Sequence, residues 1–151
     1  MAVKNSRQAI IVGGGRVGYR TAAQLNENGY TVTIIERDAD KEDEIAKYPG
    51  CRAIVGDGTD VDVFQRANPT MADVVAGLTD DTETNLAVCE LAREIVSSVR
   101  TLVRINEDGE EDYAYLEYVD NVVYPAAAGA AVAASQITGN LGNRLSPAKV
   151  R

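Results

Sequence analysis

Six short apolar runs recur along the chain, and each leads through a turn-rich stretch into a segment with helical spacing. The first, AIIV at residues 9–12, runs into Gly13, Gly14 and Gly15 and then a helix-like segment at 19–26. Asn28-Gly29 stops that helix, because both residues tolerate the left-handed backbone that ends helices. The β-branched and aromatic run YTVTII at 30–35 predicts a second strand. Further strands are predicted at 52–55, 72–78, 100–105 and 121–124. Between them, helices are predicted at 40–48, 61–67, 82–97 and 107–118, and an alanine-rich helix at 125–137 opens on Pro125. In the 82–97 helix, Leu86, Cys89, Ala92 and Val96 recur close to the 3.6-residue period of one buried face. Strand and helix alternate throughout, which predicts an α/β fold: a doubly wound, Rossmann-type parallel sheet of six strands in the order 3-2-1-4-5-6.

Two capping patterns refine the helix starts. Thr59 followed by Asp62 fits a box opening the 61–67 helix, and Asp80 with Glu83 fits one opening the 82–97 helix. From Gly139 onward the sequence GNLGNRLSPAKVR is rich in Gly, Asn and Pro and poor in apolar residues. The expected organisation is therefore one Rossmann-type unit over 1–138, with 139–151 as a linker or tail.

Composition narrows the functional classes. The 151 residues suit one domain with its own core. With 45% hydrophobic and 25% charged residues, the chain reads as an ordinary globular protein. The longest weakly polar run, around 122–134, is broken by Pro125 and is too short to span a bilayer, and the N-terminus lacks a signal-peptide pattern. A cytoplasmic location without membrane insertion is the expectation. Acidic side chains outnumber basic ones 23 to 15, for a formal charge of -8 without a compensating Lys/Arg cluster, which argues against nucleic acid as a partner. Cys51 and Cys89 are too few for a disulfide framework, and a chain without histidine is poor in zinc or haem ligands.

The chemistry-bearing stretch is the first turn. Gly13, Gly15 and Gly18 give G-x-G-x-x-G directly after a strand and at the start of a helix, with Arg16 and Val17 inside the pattern. Such glycines let a pyrophosphate lie against backbone N–H groups at a helix N-terminus, where the dipole favours an anion. Glu36 ends the second strand 18 residues after Gly18, close to the position where this fold puts an acid on ribose hydroxyls. Arg37 follows it and is able to meet a 2′-phosphate, but Glu36 repels that group, so NAD or an adenine nucleotide is favoured over NADP. Asp57, between Gly56 and Gly58 after the third strand, has two readings: an acceptor for ribose or adenine, or an Asp tightening its own turn. Asn85, one turn inside the fourth helix, is placed to reach back toward a loop or a ligand.

Catalysis finds little support. Hydride transfer needs a proton donor or acceptor, commonly His, Lys or an activated Tyr. The chain has no His, no Lys between Lys47 and Lys149, and no tyrosine followed four positions later by Lys. The serine-hydrolase pattern G-x-S-x-G is also missing.

Five segments together, IIVGGGRVG, GYTVTIIERD, GDGTD, GLTDDTETN and LVRIN, resemble in order and spacing the N-terminal nucleotide-binding domain of TrkA-type potassium-transport regulators. This domain is also known as the N-lobe of the domain regulating potassium conductance, and the resemblance spans roughly residues 8 to 137. It implies a regulatory domain rather than an enzyme, one that binds NAD(H) or ATP/ADP. It further implies a homodimer or larger ring on the cytoplasmic face of a membrane potassium transporter or channel. Residue by residue, the resemblance implies that Gly13, Gly15 and Gly18 hold the phosphates and Glu36 the ribose, with Asp57, Gly58 and Thr59 beside the adenosine. Arg16 matches a family position whose side chain reaches a phosphate, including one bound by a neighbouring subunit. Thr79, Asp81 and Asn85 match the family's motif after the fourth strand, and Arg104 matches the arginine that ends the fifth. Family members often carry a second ligand-binding domain after this one, so two readings of the chain stand: an excised domain or a single-domain relative. The competing functional class is an NAD-dependent oxidoreductase fragment or cofactor-binding module serving another partner.

Overall fold

The computed structural model describes residues 6–106 and 116–139. Six parallel strands form one sheet: β1 (Gln8–Val12), β2 (Thr31–Glu36), β3 (Cys51–Val55), β4 (Val74–Gly77), β5 (Arg100–Arg104) and β6 (Asn121–Val123), in the order β3-β2-β1-β4-β5-β6. This is the expected strand order. The helices are α1 (Arg16–Glu27), α2 (Glu42–Ile45), α3 (Val61–Gln65), α4 (Thr82–Ile95) and α5 (Pro125–Thr138).

Strands buried on both faces explain the continuous apolar runs. Ile10, Val12, Ile35, Ile54 and Val75 turn to one face and pack with Phe64 of α3 and Val88 and Ala92 of α4. Ala9, Ile11, Val32, Ile34 and Ala76 turn to the other and pack with Ala22 of α1 and Ile45 of α2. The alternation of side chains along a strand therefore sorts α1 and α2 to one side and α3 and α4 to the other. Strand registers align the sheet's C-terminal edge: Val12 stands opposite Ile35 on one side and Gly77 on the other. The tips of β1, β2 and β4 end together, and the order reverses between β2-β1 and β1-β4, which is where open α/β sheets form a ligand crevice.

The structure corrects several local expectations. The charged segment expected as a helix over 40–48 is a 3-10 turn, Ala39–Lys41, followed by the four-residue α2, because only Ile45 offers an apolar anchor. Helix α3 is capped by Asp60, whose side chain accepts the Asp62 N–H, not by Thr59. Thr59 is occupied one step earlier, donating its N–H and its hydroxyl to Asp57 Oδ1. Likewise Asp81, not Asp80, caps α4, accepting from the Thr84 N–H and hydroxyl. In both cases the cap slips by one residue toward the helix: Asp60 takes the Asp62 N–H expected of Thr59, and Asp81 takes the Thr84 N–H, one residue beyond the Asp80–Glu83 pair. The helix expected over 107–118 lies mostly outside the described residues, and 116–118 form a turn. The expected tail after Gly139 also lies outside them. Helix α5 has no buried residue, and Val132 and Ile137 are exposed on it, Ile137 to 86%.

Candidate functional site

The site grows from the turn after β1. Gly13 adopts φ +111°, a conformation that side chains disfavour, and a Cβ there would meet the Thr79 N at 2.9 Å. Gly18 has a different reason: a Cβ would stand 1.8 Å from the Gly13 carbonyl oxygen. These two glycines set how closely α1 and the β4 tip approach the turn. Gly15 is the N-cap of α1, which has no side-chain cap and no acid in its first turn. A helix start left open in this way retains free N–H groups for an anion.

Glu36, at the end of β2, reaches across to this turn. One carboxylate oxygen, Oε1, accepts the Gly14 N–H at 2.7 Å, and Oε2 accepts the Asp38 N–H at 2.8 Å. The side chain thus fixes the β1 turn to the β2 tip while lining the crevice.

The crevice is a cavity of about 540 Å³, within the range of roughly 300–1,000 Å³ usual for small-molecule sites. The turn contributes Gly13, Gly15, Arg16 and Val17; the β2 tip contributes Glu36 and Arg37; and the β3 tip contributes Asp57 and Gly58. Thr79, Asp81 and Arg104 close the far side. Eleven of the fourteen residues expected at the site therefore line one cavity. Gly18, Thr59 and Asn85 stand behind it, Gly18 under the turn and Thr59 on Asp57.

Asp57 tightens its own turn and also lines the cavity. Oδ1 holds the turn through Thr59, while Oδ2 has no hydrogen bond among the described residues. The Thr59 hydroxyl, the Thr59 N–H and the nearby Arg37 charge together hold the Asp57 carboxyl below its ordinary value.

Asn85 is fully buried and satisfied. Its Oδ1 accepts the Thr79 N–H at 2.9 Å and the Thr79 hydroxyl at 2.6 Å, and its Nδ2 donates to the carbonyls of Thr79 and Arg104 at 3.0 and 2.9 Å. Asn106 adds a bond to the Thr79 carbonyl at 3.3 Å and accepts from Arg104 Nε. Asn85 thus ties the β4 and β5 tips to α4 and positions Thr79 and Arg104, which do line the cavity.

Lys41, Asp80 and Thr84 also line the cavity, and the sequence reading did not select them. Lys41 lies in the 3-10 turn beyond Glu36, where no motif marks it. Asp80 was accounted for as a cap, and its release from that role is what the one-residue shift to Asp81 changes. Among the described residues, no group of three or more His, Cys, Asp or Glu residues is arranged to hold a metal ion. No helix among them is long and apolar enough to cross a membrane.

Comparison with known proteins agrees with this geometry. Residues 9–125 match the family model of the TrkA-N domain. The Trk system potassium uptake protein TrkA homolog of Pyrococcus abyssi is 36% identical over 121 residues, covering 77% of this chain and 53% of the relative. The homolog from Methanothermobacter thermautotrophicus is 33% identical over 129 residues, covering 85% of this chain and 59% of the relative. The chain thus spans little more than half the length of these relatives. Among solved structures, the TrkA-N domain of inner membrane protein ybaL from Escherichia coli superposes with a TM-score of 0.77 at 22% identity, covering 89% of this chain and 98% of that one. GsuK bound to ADP superposes with a TM-score of 0.68 at 27% identity, covering 89% of this chain and 33% of that one. With its glycine turn, its acidic β2 tip and its six-stranded sheet, the chain belongs to the TrkA-N domain family.

Proposed function

We propose that this chain is a nucleotide-sensing regulatory domain, not an enzyme, which binds NAD(H) or ATP/ADP in the β1-β4 crevice and gates a membrane potassium transporter or channel from its cytoplasmic side. The observation that carries the reading is the union, in one cavity, of an uncapped helix start, the glycine turn and Glu36 held against that turn. A phosphate group would sit on the turn, a ribose on Glu36 and the adenine toward Asp57 and Gly58. Arg16 would answer the phosphate charge, in this subunit's ligand or a neighbour's. The solved relatives support the ligand class: one GsuK structure is bound to ADP, another GsuK channel is bound to NAD, and a Shewanella denitrificans Kef C-terminal domain is in an AMP-bound form. TrkA homologs and KefC potassium-efflux proteins among the relatives support the partner class.

An assembly of two or more copies is part of the same proposal. Helix α5 is rich in alanine, exposes Val132 and Ile137 and has no buried residue among the described ones. An exposed apolar helix of this length is marginal by itself and gains stability when another surface covers it. In such an assembly the nucleotide would act by differential affinity, shifting the balance of two states by the difference in its binding to each. The unit 1–138 would carry the ligand, and 139–151 would connect it onward. Calorimetric titration of NADH, NAD, ATP and ADP, paired with ion flux through the assembled transporter, tests the reading. Unequal affinities accompanied by altered flux are expected. Equal affinities with unchanged flux, or turnover of a substrate, would overturn it.

A further inference from the structure

A second cavity, about 800 Å³, lies on the outer side of α1, between that helix, the glycine turn at Gly14 and Gly15, and the segment from Lys41 to Tyr48. Its α1 wall is one helical stripe at the spacing i, i+3, i+4: Arg16, Tyr19 and Arg20. Lys41, Glu44 and Tyr48 form the opposite wall. Three cations thus face one carboxylate in a chain whose formal charge is -8. The side chains of Arg16, Arg20 and Lys41 enter no ion pair or hydrogen bond among the described residues. Arg16 and Arg20 are also a like-charge pair one turn apart, an arrangement that destabilises an isolated helix. Tyr19 packs partly against the core, but packing does not explain the two arginines, since Arg16 and Arg20 are exposed while Gly18 and Ala22 make the buried face of α1.

The aromatic side of the cavity is equally specific. The rings of Tyr19 and Tyr48 stand 5.5 Å apart at 51°, and Tyr48 keeps 36% of its surface exposed. A tilted pair with one open ring offers a face to a planar group, while the cations offer charge to an anion. We infer that this outer cavity is a second ligand site, adjoining the nucleotide crevice across the glycine turn, for a small molecule that carries both a phosphate and an aromatic or heterocyclic ring. Gly15, Arg16 and Lys41 line both cavities, so an anion in either would be felt in the other.

The test uses the full chain at low ionic strength, with its crevice saturated by NADH, and phenyl phosphate and inorganic phosphate as probes. If NADH does not bind, the nucleotide reading fails and the same titration is run without it, so the two failures are distinguishable. Phenyl phosphate is expected to bind about tenfold more tightly than inorganic phosphate, the upper end of a ring-stacking gain. Arg20→Glu should abolish binding of both probes, and Tyr48→Ala should bring phenyl phosphate down to the level of inorganic phosphate. Neither residue lines the first cavity, so both variants should keep wild-type NADH affinity, which also shows that they are folded. Equal affinity for the two probes, displacement of phenyl phosphate by NADH, or unchanged binding in Arg20→Glu would overturn the inference.

Discussion

The Glu36 carboxylate holds the Gly14 N–H at 2.7 Å, so the tip of β2 and the glycine turn after β1 are one mechanical unit. The same carboxylate also holds the Asp38 N–H, fixing the start of the loop that carries Lys41. Loss of this acceptor is felt in the empty protein as well as in the complex. Glu36→Ala leaves two N–H groups without their charged acceptor and is expected to destabilise the fold by about 1–3 kcal/mol. Urea denaturation without ligand measures this, and a role confined to ribose would leave that curve unchanged.

Arg16 opens α1 without a partner among the described residues, at the helix end where a cation is disfavoured. Its role in the proposed function is to meet phosphate charge. Arg16→Ala should therefore weaken ATP binding more than NADH binding, because the triphosphate presents more charge. Parallel titrations decide it, and equal losses for both ligands would remove the assigned role.

Asn85 lies outside the cavity, yet every polar atom of its side chain is committed to Thr79 or Arg104. Asn85→Leu would leave the Thr79 N–H and the Arg104 carbonyl without this partner in a part-buried place, each costing about 1–3 kcal/mol, while the Thr79 carbonyl keeps its bond from Asn106. A marked drop in melting temperature is expected, together with weaker nucleotide binding in whatever fraction stays folded. Thr79→Ser, which keeps the hydroxyl, should bind nucleotide like the parent and serves as the control.

Burial pushes the Cys89 thiol from 9.0 up to about 12, while Cys51, at the edge strand β3, is only partly covered. A thiol whose folded value is raised contributes stability that is fully present below about pH 9 and declines as pH rises from there toward 12. Cys89→Ala should lack this alkaline component when denaturation is followed from pH 8 upward. In the native protein at neutral pH, an alkylating reagent should modify Cys51 first and Cys89 only on unfolding.

Gly18→Ala probes packing alone. The added Cβ would sit 1.8 Å from the Gly13 carbonyl oxygen, and that atom is backbone, so α1 must move. A destabilisation of about 3 kcal/mol is expected from such overpacking, with loss of the turn geometry and of nucleotide binding in calorimetry. Gly15→Ala is its counterpart: nothing lies within 4 Å of a Cβ there, so the fold should tolerate it.

The sequence by itself determined the sheet, its strand order and most of the crevice. Apolar runs of four to six residues broken by glycine and proline admit few other arrangements, because strands buried on both faces need helices on both sides. Gly13, Gly15, Glu36 and Asp57 were legible because the turn and the strand tips require those residue types at those spacings. Only the tertiary structure decided which acids cap and which line the crevice without capping. Asp60 and Asp81 took the caps expected of Thr59 and Asp80, since a side chain's partner is set by distances of a few tenths of an ångström that a pattern does not encode. It also set Asn85 behind the crevice, bonded to Thr79 and Arg104, and brought Lys41 to the crevice wall. The outer cavity with Tyr19 and Tyr48 was equally invisible beforehand, because residues 29 positions apart in sequence meet only when β2 pairs with β1 and lays the segment after it beside α1.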